Sequence, residues 1–312
     1  MLDPILYVST LVIIRSMAEL IAHIVVYDDL RRLALNDATL HVALRDALTH
    51  EVTAGKAGSV SRMGKDHIPR LLAQSRDRLN EGTFTEADRR RLGFTLGWIA
   101  HQAADNHLKP IYRELQPEHY SENRPSPSDI RIYHDTVLMQ EVDHLDAEPQ
   151  FPASVIDFAQ QTHAVAASVD VPRMEAAFDG LIQSDLYGLQ TDPKPTIHDR
   201  IGHFITRVEP VYISTERYAQ AYQMPDPTYL RRFIHAPVFY DRADSLIALA
   251  RAIQTDQVPE TALADARAQP ITSTYGRVIE LGLQMIDVAT AFLHGTADQD
   301  AVVAAIATVN PA

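Results

Sequence analysis

No cysteine occurs in the 312 residues, so neither a disulfide framework nor a thiolate metal site can be built. Any bound metal must rest on His, Asp and Glu. Positive charge is also scarce: 28 Lys and Arg stand against 41 Asp and Glu, a formal net charge of −13. That balance argues against duplex nucleic acid or an anionic membrane surface as the main partner. It does not exclude a small phosphate-bearing substrate, because a bound metal reverses the local sign of charge. Long apolar runs are missing as well. The one near the N-terminus, Ile5 to Ile14, is interrupted by Arg15 and Ser16 and falls short of the ~20 residues of a membrane span. Asp3 precedes it where a secretory signal wants positive charge, and no small-residue cleavage site is clear. The expectation is a cytoplasmic protein without a transmembrane segment, residues 1–16 being an upstream extension if Met17 is the natural start.

Strand-like alternation is scarce, and neither a repeat of 20–50 residues nor a low-complexity segment is found. What remains is helical. The apolar fraction of 46% and charged fraction of 22% are those of a globular protein. Helices are expected over Ala18–Leu35, Asp37–Glu51, Pro69 to about Leu79, Thr85 to Pro110, and Ser128 to about Leu145. Further spans are Pro152–Ala167, Pro172–Leu186, His198–Tyr222, Pro227–His235, Val238–Thr255, Pro259–Ala268, Ser273–His294 and a short last helix from Asp298. Thr53–Lys65 reads as a loop by its Gly and Ser content, and Gln116–Ser128 as a surface loop. The organisation expected is a helical metal-site region over 17–148 and a helical C-terminal region over 149–312 packed on it, in one continuous domain.

The chemistry gathers early: nine of the 14 histidines lie between His23 and His144. Leu92 to Ala104 is mostly apolar with no face polar enough to meet water, as in a helix buried on all sides. His101, Gln102 and Asp105 nevertheless sit in or against that run. His101 and Asp105, four apart, stack on one face. A buried carboxylate needs a cation, a donor network or a metal, so two readings stand: a His–Asp pair satisfied within a helical core, or a metal site. Gly93 and Gly97 leave one line of this helix bare, allowing another helix to approach closely. His23 lies mid-helix among Ile21, Ala22, Ile24 and Val25, as a core histidine or a ligand. Asp66, before Pro69 at the mouth of a helix, is a capping carboxylate or a ligand or general base. His134 and Glu141 are two turns apart, ~10 Å along an axis, too far for one ion but suited to different ions of a cluster.

In order, His23, Asp66, His101, Asp105, His134 and Glu141 resemble the ligand series of the zinc-dependent phospholipase C family, whose all-helical fold is shared with single-strand-specific zinc nucleases. The residues that carry the resemblance are Ala22-His23-Ile24, Gly64-Lys65-Asp66-His67-Ile68-Pro69, Gly97-Trp98-Ile99-Ala100-His101-Gln102-Ala103-Ala104-Asp105 and Tyr133-His134, within about residues 17–145. The resemblance implies an all-α multi-helix bundle of the phospholipase C and zinc nuclease type with additional C-terminal helices. It implies that Asp66, His101 and Asp105 ligate one ion, that Asp105 bridges to a neighbour near His23, and that His134 helps hold another. Two or three zinc ions are implied, with manganese or iron also suited to such ligands. The implied activity is metal-dependent hydrolysis of a phosphoester, a small one or a phospholipid, by metal-activated water, with Asp66 in the catalytic role and His67, His107 and Lys109 near the ligands or the substrate. An oligomer is compatible with all of this.

The chain departs from the family pattern in three ways: without a signal peptide it is not expected to supply the processed N-terminus that secreted members use as a ligand, and two positions differ. Lys109-Pro110 stands where His-Pro commonly closes the central motif, and Leu138 stands where a Glu commonly follows the last His. These departures favour, as an alternative, a non-catalytic helical interaction protein that keeps the fold around a degenerate site. The adjacent His134-Asp135 offers a third reading, a phosphohydrolase of the HD type.

Overall fold

Every residue from Arg91 to Asp105 is buried, so the stretch with no wet face is the middle of the molecule. A computed structural model describes residues 20–60, 65, 67–115, 138, 239–255, 258–259 and 261–307. Among these, nine helices and no strand occur: α1 (Leu20–Leu35), α2 (Val42–His50), α3 (Val52–Val60), α4 (Ile68–Asn80), α5 (Glu86–Leu115), α6 (Ser245–Thr255), α7 (Ala262–Arg267), α8 (Thr274–Leu293) and α9 (Gln299–Ala307). The described part of the protein is all-α. The helices expected between 128 and 235 apart from Leu138, and Asp66, His134 and Glu141 with them, lie outside the described residues.

Helix α5 is the hub, packing against α1, α2, α3, α4 and α8. Its start is written locally. Thr85 donates its hydroxyl and its backbone N–H to Asp88, while Asp88 N–H reaches back to Thr85 Oγ1, a reciprocal cap that satisfies otherwise orphaned donors. Arg78 of α4 and Arg91 then flank the same carboxylate. The helix does not stop near Lys109-Pro110 as expected but runs to Leu115 with Pro110 inside it. A proline costs a helix one hydrogen bond and a clash, and here it is tolerated within the last two turns.

A second correction concerns residues 53–65. The segment read as a loop is largely helix α3, Val52–Val60. Glycine inside a helix costs about 0.5–1 kcal/mol relative to alanine, and the compensation is tertiary. Gly55 and Gly58 of α3 face Gly97 and Phe94 of α5 so closely that a Cβ on Gly97 would lie 1.9 Å from the Gly55 carbonyl oxygen. One on Gly58 would lie 2.1 Å from that of Phe94. The bare line on α5 is thus filled by the backbone of α3.

Helix α1 is enclosed too: Ala22 to Tyr27 are all buried. Its polar end is tied down by Lys56 to Asp28 (3.1 Å), by Arg31 donating to the Leu48 carbonyl, and by Tyr275 of α8 donating to the buried Asp29 (2.8 Å). Asp244 caps α6 through the Leu246 N–H and also accepts from Thr272, Ser273 N–H and Ser273 Oγ ahead of α8. These ties fasten α6 and α8 to α1, closing the apolar core around α5.

Candidate metal centre

Helices α1 and α5 meet where each buries a histidine. His23 is 0% exposed, His101 2% and Asp105 5%. Their rings stack almost parallel, with centroids 4.3 Å apart and planes 14° from each other. The i, i+4 spacing brings His101 Nε2 to 3.0 Å from Asp105 Oδ2, and the crossing of α1 brings His23 Nε2 to 3.9 Å from Oδ1. One ligand atom from each residue lies within 4.8 Å of the others, so the trio could hold a metal ion.

The third element is α3. His101 Nδ1 lies 2.9 Å from the Ser59 carbonyl oxygen. A carbonyl only accepts, so Nδ1 carries the proton and Nε2 is the nitrogen turned toward Asp105. Two atoms with only lone pairs repel at 3.0 Å, so something positive must stand between Nε2 and the carboxylate: a second ring proton or a metal ion. A histidine whose far nitrogen donates to a backbone carbonyl is the usual arrangement for a metal ligand, because that bond sets the tautomer and the ring plane.

The fourth partner is Lys109, one turn beyond Asp105, whose ammonium pairs with Oδ2. Burial pushes the Asp105 carboxyl up, but the charge and hydrogen bond of His101, with Lys109 and His23, outweigh it and hold the group well below the usual carboxylate range. Asp105 is therefore a fixed anion in an apolar surround. Oδ1 is the exception to its pairing: it is buried and makes no hydrogen bond among the described residues, a costly state for a carboxylate oxygen.

The donor set suits a borderline ion. Ligands ~2.0–2.1 Å from a tetrahedral zinc lie about 3.3 Å from one another. The ligand atoms of the three residues lie within 4.8 Å of one another, so the donor set fits an ion once the side chains draw in toward it.

Of the residues singled out in the sequence, the structure brings His23, His101, Asp105 and Lys109 together. His107 is turned away toward α8, where burial and then the Arg277 charge lower its pKa. Two residues past Asp105, it points about 200° round the helix. His67 stands before α4 with its ring stacked 5.9 Å from Trp98. Leu138, in place of the family's Glu, is fully buried in the apolar core. Sequence reasoning missed Ser59, because a backbone carbonyl leaves no trace in residue identity. The glycines on facing lines of α3 and α5 were the only signal that this carbonyl would come within reach.

Comparison with family models, with curated proteins and with solved structures gives no match for this chain.

Proposed function

We propose that the protein is a metal-dependent hydrolase of phosphoesters, with His23, His101 and Asp105 as ligands of a zinc-class ion. The observation that carries the reading is the buried convergence of two imidazoles and a carboxylate from two helices, with Asp105 Oδ1 left without a hydrogen bond among the described residues. An ion there supplies Lewis acidity toward a phosphoryl oxygen and a water acidic enough to react near neutral pH. The chain's own contributions are specific. Ser59 fixes the His101 tautomer, Asp105 supplies the negative charge that holds a cation, and the ring stack keeps His23 and His101 in register.

The finer assignment, a phospholipase C-like phosphodiesterase using zinc, draws on the sequence resemblance. It expects Asp66, His134 and Glu141 to complete the ligand shell, Asp66 also serving the catalytic step. Metal analysis of protein purified without added metal, paired with hydrolysis of a phosphodiester, a phosphomonoester and a short-chain phospholipid, tests it. At least one bound ion per chain and turnover of one of these, both reduced in His101→Ala, is the expected result. No bound ion and no turnover would return the cluster to the rival reading, a helical interaction protein with a closed polar core, which Lys109 on Asp105 and the buried Leu138 favour.

A further inference from the structure

We propose that this centre takes a single ion through Asp105, with the Lys109 ammonium built in where a second cation would stand. The proposal rests on the metal reading above and narrows it, because the family resemblance implies two or three ions with Asp105 as a bridge.

The two oxygens of Asp105 are not equivalent. Oδ2 lies 3.0 Å from His101 Nε2 and pairs with the Lys109 ammonium. Oδ1 faces His23 Nε2 at 3.9 Å and has no hydrogen-bond partner among the described residues. A carboxylate that bridges two ions must offer lone pairs from both oxygens, and here one oxygen is already engaged by the Lys109 ammonium. Lys109 is held to that role by the helix, since residues four apart stand on one face, and it is only 27% exposed. A second divalent ion on Oδ2 would have to expel the ammonium or sit against it. The repulsion there is twice that between unit charges at the same distance. The oxygen left to an ion is therefore Oδ1. One monopositive side chain replaces one dipositive ion, which also leaves the buried site with less charge to neutralise.

The test uses the full chain, stripped of metal with a chelator and reloaded with Co²⁺ or Zn²⁺. Bound metal is counted after desalting, and affinity is measured by competition with a chromogenic chelator. Asp105→Asn is expected to remove one ion per chain. Loss of two ions in that variant overturns the single-ion proposal, whereas a wild type that binds none, or an Asp105→Asn variant that loses none, sinks the metal reading itself. Lys109→Met removes the competing cation at similar length and is expected to bind Co²⁺ at least about tenfold tighter. Unchanged or weaker affinity, in protein whose circular dichroism and Trp98 emission match wild type, overturns the role of Lys109. Lys109→Gln serves the same comparison if the methionine variant does not fold.

Discussion

The close approach of α3 to α5 holds both the fold and the candidate metal centre, and Gly97→Ala tests it. On an isolated helix the change would be favourable by up to about 1 kcal/mol. Here the new Cβ would stand 1.9 Å from the Gly55 carbonyl oxygen and 2.7 Å from Ser59 N, both backbone atoms that no rotamer change can move. Ordinary contact begins near 3.4 Å, so the helices must part by about 1.5 Å at this point. Overpacking of this kind costs about 1–3 kcal/mol. Parting α3 from α5 also carries the Ser59 carbonyl away from His101 Nδ1, now 2.9 Å distant, and a buried bond lost in this way costs a further ~1–3 kcal/mol. Net of the propensity gain, the variant should be destabilised by about 3 kcal/mol. Urea unfolding followed by circular dichroism and by the emission of Trp98, the only tryptophan, reads this directly. With a slope of ~2–3 kcal/mol per molar urea, the midpoint should fall by about 1 M. Gly93→Ala provides the comparison: its Cβ would stand 2.7 Å from Glu51 Cβ and 3.2 Å from the Glu51 carbonyl oxygen, a shallower overlap than the 1.9 Å contact at Gly97, so its loss should be smaller. A Gly97→Ala midpoint equal to wild type would show that the two helices do not touch as described.

Three further outcomes are expected. Adding Zn²⁺ at ~100 times its dissociation constant should stabilise the chelator-stripped protein by about 2.7 kcal/mol, with the gain lost in His23→Ala; an equal gain in that variant would place the ion elsewhere. Tyr275→Phe removes the hydrogen bond to buried Asp29, whose carboxyl is pushed up by burial against the opposing pull of Arg32 and Tyr275. The variant should lose about 1–3 kcal/mol, more at neutral than at acid pH, because the phenol favours the ionised carboxylate that dominates as pH rises; a loss independent of pH would contradict this. His41 caps α2 by accepting the Ala43 N–H at Nδ1, which requires an unprotonated nitrogen. Burial, then the neighbouring His294, lowers its pKa below the usual 6.5, so its contribution is present above that value and lost as pH falls through the folded-state value. His41→Asn should keep a cap worth ~1 kcal/mol and flatten stability across this acid window, as thermal melts at stepped pH would show.

Much of the local architecture was legible in the chain. The all-helical class, the buried run from Leu92, the start of α5 after Thr85, and the close bounds of α8 after Ser273 are all short-range matters, decided by side-chain periodicity and by which residue satisfies a helix end. The facing of His101 and Asp105 is equally local, because four residues are one turn. Tertiary structure decided the rest. Glycine propensity argued for a loop where α3 stands, and only the contact with Gly97, some forty residues on, makes that helix worth its backbone entropy. Likewise, nothing adjacent to His101 announces that Ser59 will orient its ring or that His23 will stack against it. Those pairings depend on the crossing of α1, α3 and α5, which is set by how their apolar faces pack together.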